Sequence, residues 1–391
     1  MSDAHDSFDN ADRDEQGRGD SFSSAVVDRM HRSANAWNLP GGQLLLPRVF
    51  GFCRGVRRAL TMLERAVADH AGRGGTLVLL GQIIHNPWVN AFFADRGVRI
   101  LTPDQVREVE KHVTAADGAV VPAFGVPWDI EQRLTAIGCR VIDTSCGDVR
   151  RLWVWTTRAV EQGYGVLIYG RVHHDETVVT CSRLAAAGGS YVVTEDLDKI
   201  AALCQMLTGR RDAGEFSRVF DERATNARSI EPFYHRLAQV SQTTMLYDDT
   251  MTVRGLIRNA LTSHTPAQHP TRNVLFEPTV CRATQQRQAA AVELCAAGVD
   301  LVMVVGGFGS SNTRHLYELA RKSAAAWFIE DARAIVSAGE LSTMDIATSQ
   351  PIIARDWLPP RRPLKIGVLA GASSPEIVVG QVLERLAQFL G

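Results

Sequence analysis

Apolar and polar positions follow two rhythms along this chain, and from Leu44 onward the two take turns. Short apolar runs predict strands at 44–50, 76–80, 118–124, 140–145, 165–170, 190–194, 237–242, 300–305, 326–330 and 365–370. Between many of them apolar residues recur every three or four positions, which predicts helices at 55–69, 148–162, 247–262, 284–297 and 311–322. Apolar strands separated by amphipathic helices predict α/β layers with mostly parallel sheets. Two stretches break the rhythm: 208–236 is charged and weakly patterned and reads as a surface insertion, and 263–273 reads as a loop. Ahead of Leu44 the first twenty residues carry seven acidic and two basic residues with one aromatic. Residues 1–43 are therefore expected to be a disordered extension, with room for a short amphipathic helix near 25–32. The expected division is that extension, then α/β domains at 44–146, 147–277 (carrying the insertion) and 278–391, with strand 44–50 able to pair in the third.

Composition narrows the class. The 391 residues are 45% hydrophobic and 22% charged, ample for the core of a globular enzyme. A net charge of −1 argues against nucleic acid or an anionic membrane as partner. No apolar run approaches the roughly 18–20 residues of a membrane span, and no basic-then-apolar leader opens the chain, so a cytoplasmic protein is expected. The seven cysteines are odd in number and widely spread, which argues for free thiols rather than a disulfide framework. Cys139, Cys181, Cys204 and Cys295 lie in ordinary strand or helix patterns and read as small buried hydrophobes.

The other three cysteines share a setting. GFCRGV at 51–56, VIDTSC at 141–146 and EPTVC at 277–281 each put a thiol between an apolar run and a helical pattern. Thiolates are soft ligands suited to iron–sulfur clusters, zinc or copper. Clusters commonly use four cysteines, and three would leave one iron open for substrate. The competing reading is three unrelated buried thiols. Other candidates stand at strand ends, where open α/β sheets place ligands. These are His85 in GQIIHNPW, the cluster His173, His174, Asp175 and Glu176 in RVHHDET, and Gln242, Thr243 and Thr244 in SQTTM, which reads equally well as a helix cap. GGFGSSN at 306–312 and AGASSPE at 370–376 combine glycine turns with hydroxyls, a pattern that favours an oxyanion. Neither a GxxxxGK[ST] loop nor a GxGxxG fingerprint is present.

Taken in order, GFCRGV, IIHN, DTSC, HHDE, SQTT, CRAT (281–284) followed by Arg287 and Gln288, GSSN and AGASSPE resemble the LytB/IspH-type 4-hydroxy-3-methylbut-2-enyl diphosphate reductase family, over about 44–390. The resemblance implies a trefoil of three α/β domains around a [4Fe–4S] cluster held by Cys53, Cys146 and Cys281. It implies that Glu176, His174 and Thr243 handle the substrate hydroxyl and its proton. The diphosphate would fall to His85, Ser310, Ser311, Asn312 and Ser373. The implied reaction is reductive dehydroxylation to isopentenyl and dimethylallyl diphosphate, with electrons from a donor such as ferredoxin or flavodoxin.

The chain departs from that family at several places. A second family histidine, in a Ser-Ala-His-Gly context, is Phe124 here; Cys-Pro is Cys146-Gly147; His-Pro-Glu is His174-Asp175-Glu176; and an asparagine after the third cysteine is Gln286. A phenyl ring cannot donate to phosphate, and losing one charge-assisted hydrogen bond costs about 1.5–3 kcal/mol. Three readings follow: the family reductase, a paralogue using the same cluster on another hydroxylated anion, and a non-catalytic redox sensor. Retention of Glu176 and His174 argues against the last.

Overall fold

Four sheets carry the described chain, and three of them are built mainly from parallel strands. The computed structural model describes residues 21–70, 72, 74–262, 273–346 and 348–391. The chain divides into two compact units. One comprises the residues up to Phe52 with Ala290–Gly307 and Tyr317–Gly391, and the other comprises Cys53–Ala289 with Phe308–Leu316.

The first unit holds a five-stranded sheet in the order Ala36–Leu39, Gly42–Leu45, Leu364–Ala370, Leu301–Val305, Ala325–Ile329. Only the first pair is antiparallel. Every residue of Leu301–Val305 is buried, which is why that run reads as continuously apolar rather than alternating. A separate antiparallel sheet of Ile335–Ser337, Glu340–Asp345 and Gln350–Arg355 has no counterpart among the sequence expectations.

The expectation of disorder through residue 43 is corrected from residue 21 onward; residues 1–20 lie outside the described residues. Ala25–Arg32 is a helix that buries Val27 and Met30, and Ala36–Leu39 and Gly42–Leu45 form a hairpin. The segment is tied to the chain's end. The Ile377 amide donates to the Phe22 carbonyl at 2.9 Å and the Gly41 amide to Leu390 at 2.6 Å. Its few apolar residues are too short a run to show a period alone, yet they complete the core beside helix Glu376–Leu390.

The second unit holds two fully parallel sheets. One runs Arg99–Ile100, Leu77–Leu79, Gly118–Val121, Arg140–Asp143. The other runs Asn273–Phe276, Arg236–Ser241, Gly165–Tyr169, Tyr191–Thr194. The reading of 208–236 as a surface insertion is also corrected. Phe216, Phe220, Ile230 and Phe233 are buried in one core with Val192, Leu203 and Leu207. These apolar residues stand singly between charges, on helical pieces of three or four residues, too short for a visible period. Of the loop expected at 263–273, residues 263–272 lie outside the described residues and Asn273 already begins a strand. Among the described residues no helix is long and apolar enough to cross a membrane.

Candidate functional site

Each of the three singled-out cysteines stands immediately before a helix: Cys53 before Arg54–His70, Cys146 before Gly147–Glu161, and Cys281 before Arg282–Ala296. All three belong to the second unit. A helix N-terminus offers unpaired amides, and the sulfurs use them: Val56 donates to Cys53 Sγ at 3.4 Å and Thr284 to Cys281 Sγ at 3.3 Å. The Cys146 amide donates to the Ala123 carbonyl at 2.8 Å, hanging this thiol on the turn that carries Phe124.

Gly55 shows how closely two of the thiols approach. A Cβ there would lie 2.6 Å from Cys146 Sγ and 3.8 Å from Cys53 Sγ, so the second glycine of GFCRGV is required by the thiols themselves. Burial raises the pKa of Cys146, and the charges of Cys53 and Asp148 raise it further. Burial likewise pushes Cys281 up to about 12, with Cys53 again among the charges acting on it. Cys53 is thus electrostatically coupled to both of the others.

Glu176 sits in the first turn of helix Asp175–Ala186 and is 3% exposed. Thr243 holds both carboxylate oxygens: its amide donates to Oε1 at 2.6 Å and its hydroxyl to Oε2 at 2.6 Å. Burial outweighs those bonds and leaves the Glu176 pKa raised. Thr243 also faces the thiols, because its carbonyl accepts the Cys281 amide at 2.9 Å. One residue therefore joins the acid to a cysteine. Gln242 braces the same loop, accepting from the Arg171 amide at 3.1 Å and donating to Thr244 Oγ1 at 2.6 Å.

His174 caps that helix, with Nδ1 accepting from the Glu176 amide at 3.3 Å, which leaves Nε2 to carry the proton. Its pKa falls to about 3, through burial first and the neighbouring His85 second, so the ring is neutral at physiological pH. His85 follows Ile83-Ile84 in a turn clamped by Asn90, which accepts from the Ile83 amide and donates to the Ile84 and Asn86 carbonyls. The His85 ring stacks on Phe124, centroids 4.7 Å apart and planes 3° apart, and its Nε2 stands 2.8 Å from Asp175 Oδ2.

The Gly-rich turn ending in Ser310-Ser311-Asn312 begins helix Ser311–Ala320. Ser310 Oγ accepts from the Thr313 amide and hydroxyl at 3.3 and 2.9 Å. Asn312 donates to Thr284 Oγ1 at 3.3 Å, and Thr284 lies 3.1 Å from Cys281 Sγ. Ser311 Oγ is buried without a hydrogen-bond partner, an unspent donor suited to an anion. A Cβ at Gly309 would lie 3.7 Å from the His85 Cβ, so this turn and the His85 turn are neighbours. Ser373, in the loop after Leu364–Ala370, belongs to the other unit.

The profile of the LytB protein family matches residues 44–387. The chain belongs to the LytB protein family. Among its LytB relatives, the 4-hydroxy-3-methylbut-2-enyl diphosphate reductase of Synechococcus sp. (strain CC9605) is 31% identical over 90% of this chain and 88% of its own length. The reductase of the same name from Gloeobacter violaceus is 30% identical over 95% and 88%. A chloroplastic one from Botryococcus braunii is 29% identical over 93% and 72%. The solved E-1-hydroxy-2-methyl-but-2-enyl-4-diphosphate reductase from Plasmodium falciparum superposes with a TM-score of 0.63 at 19% identity, covering 89% of this chain and 88% of that one. Another solved reductase, described as the terminal enzyme of the non-mevalonate pathway, gives 0.53 at 24%, covering 88% and 99%. These two likenesses speak to the LytB fold.

Sequence reasoning singled out Thr243 but not its double grip on Glu176. It missed Thr284, Asn90 and the contact of Asp175 with His85. Thr284 was accessible in principle, because a hydroxyl three residues after a residue that precedes a helix is placed to meet it.

Proposed function

We propose that this chain is a 4-hydroxy-3-methylbut-2-enyl diphosphate reductase, the activity its LytB relatives carry in their names, producing isopentenyl and dimethylallyl diphosphate for isoprenoid biosynthesis. The observation that carries the reading is Thr243, which holds the buried Glu176 by two bonds and the Cys281 backbone by a third.

Cys53, Cys146 and Cys281 would hold the [4Fe–4S] cluster. Among the described residues no three His, Cys, Asp or Glu side chains converge to chelate a single metal ion. A cluster takes its thiolates on separate irons. The side-chain-free Gly55 between Cys53 and Cys146, and helix N-termini beneath all three sulfurs, also fit a group that needs thiolates. Such a cluster supplies single electrons and a Lewis-acidic iron.

The chain's own residues supply the rest. The reaction breaks an allylic C–O bond, consumes two electrons and two protons, and yields an alkene and water. Glu176, whose carboxyl burial shifts toward the protonated form, gives a proton to the departing oxygen, and Thr243 fixes the carboxyl's orientation. Neutral His174 offers Nε2–H to the hydroxyl. His85, Ser310, Ser311 and Asn312 hold the diphosphate. Electrons come from a protein donor such as ferredoxin or flavodoxin. All seven cysteines are unpaired, which supports a reducing compartment, the cytoplasm in this reading. The three parallel-stranded sheets support a division into modules at 44–146, 147–277 and 278–391.

The test is anaerobic. Protein purified without oxygen should carry about four irons per chain and convert hydroxymethylbutenyl diphosphate, given a strong reductant, to five-carbon diphosphates. A fully loaded protein that leaves this substrate untouched sinks the reading. A second reading, the same chemistry on another hydroxylated anion, is favoured by Phe124, whose ring lies flat against the histidine of the anion seat.

A further inference from the structure

His85 is the imidazole expected to seat an anion, and it is already engaged on three sides. Phe124 covers one face, His174 meets it edge-on with centroids 5.3 Å apart, and Asp175 Oδ2 stands 2.8 Å from Nε2. The carboxylate is the outward member of this group, its side chain 55% exposed against 18% for the imidazole. Burial, the largest single influence, would raise the Asp175 pKa, but the His85 hydrogen bond together with the charges of His85 and His174 holds the carboxyl below its usual range, so Asp175 is charged at neutral pH. Two of these contacts come from positions where the chain departs from its family pattern. Phe124 stands for a histidine, and Asp175 for a proline, whose side chain could neither accept a hydrogen bond nor carry charge.

An anion approaching His85 therefore meets a fixed negative charge that accepts the same N–H it needs. The repulsion grows with the charge of the incoming ligand, since Coulomb energy scales with the product of charges. A ligand gains His85 Nε2 only by exchange, displacing the carboxylate toward solvent. The helix start holds Asp175 close by, because Glu176 in the same turn is anchored to Thr243.

We propose that Asp175 is a specificity-determining residue, an internal carboxylate that occupies the anion-seating imidazole and makes this chain bind free, highly charged diphosphates weakly. The inference rests on the reading of His85 as part of a diphosphate seat. It adds a selectivity to that seat: anions are ranked by what they gain elsewhere in the pocket, and inorganic pyrophosphate, which gains least, is held least.

The test is calorimetric titration of the iron-loaded full chain, kept anaerobic, with inorganic pyrophosphate and with orthophosphate. Asp175→Asn keeps an acceptor for His85 and removes the charge. It should tighten pyrophosphate about tenfold and orthophosphate distinctly less, while Asp175→Glu stays within about threefold of the unaltered chain. Looser packing would not produce a gain that tracks ligand charge. The assignment is overturned if Asp175→Asn binds pyrophosphate no tighter, if both anions tighten alike, or if neither form binds pyrophosphate. It is equally overturned if Asp175→Asn binds pyrophosphate more weakly, because the carboxylate would then be supporting His85. Turnover is read separately: KM for the allylic diphosphate should fall in Asp175→Asn, with kcat moving less. Pyrophosphate tightening without any turnover in either form upholds Asp175 and sinks the reductase reading. Turnover with no tightening does the reverse.

Discussion

In the proposed reductase, the chemistry at Glu176 turns on one amide and one hydroxyl of Thr243. Both bonds favour the charged carboxylate, yet burial favours the neutral acid and wins. The raised folded pKa fixes the sign of two effects. Proton donation weakens as pH rises through the raised value, so turnover should fall on the alkaline side. The group's contribution to stability is full below the unfolded carboxylate pKa and is lost as pH climbs through the folded one. Glu176→Gln removes the proton but still pairs with Thr243, accepting from its amide and donating to its hydroxyl. Turnover should be abolished with iron content unchanged, and stability at neutral pH should move by about 1 kcal/mol or less. Denaturant titrations near pH 5 and pH 8 provide the check. The unaltered chain should lose more stability between them than the Gln variant, and equal slopes would refute the account. Glu176 was legible in the sequence as a candidate acid because a carboxylate beside histidines at a strand end is conspicuous. Its partner's double grip was not, since Thr243 reaches it only through the pairing of strands Gly165–Tyr169 and Arg236–Ser241.

Elements act on the site through their ends. The turn that presents His85 lies between the buried Ile83-Ile84 pair and helix Pro87–Ala94, and Asn90 of that helix reaches back to three backbone groups of the turn. Asn90→Ala leaves the buried Ile83 amide without its acceptor, while the Ile84 and Asn86 carbonyls keep the backbone amides of Asn86 and Asn90, a loss of about 1–3 kcal/mol. The expected outcome is a lower melting temperature together with a raised KM, because the released turn no longer aims His85. A variant that melts lower with KM unchanged would show that Asn90 serves the fold alone. Helices and strands with long periods were legible within a few residues; the pattern at 247–262 matches Tyr247–Thr262 end to end. The stretch 208–236 was not, because its buried phenylalanines sit on single helical turns. Helix Ala25–Arg32, noted only as having room to form, packs on Glu376–Leu390, a partnership more than three hundred residues away in sequence that no local pattern reports.

For the whole molecule, the three thiols follow strands of three different sheets: Cys53 comes after Gly42–Leu45, Cys146 after Arg140–Asp143 and Cys281 after Asn273–Phe276. Their approach exists only in the folded chain, because loops joining them in an unfolded one would be about a hundred residues long and entropically costly to close. A group bound by all three thus binds the native state and not the unfolded one, and must stabilise it by mass action, about 2.7 kcal/mol when present at a hundred times its dissociation constant. Iron-loaded protein should accordingly melt above the iron-free protein, both measured anaerobically. Two variants separate this coupling from a general effect of iron. Cys146→Ser keeps a small polar group at the helix start but lacks a thiolate, so the loading shift should vanish. Gly55→Ala keeps all three thiols, yet its Cβ would lie 2.6 Å from Cys146 Sγ and must push the sulfur aside. Its iron-free form should melt within about 1 kcal/mol of the unaltered chain's stability, since Ala is the better helix former and offsets part of the displacement, whereas its iron content and loading shift should drop together. A loading shift that survives both substitutions would mean that iron stabilises the chain somewhere other than at these cysteines.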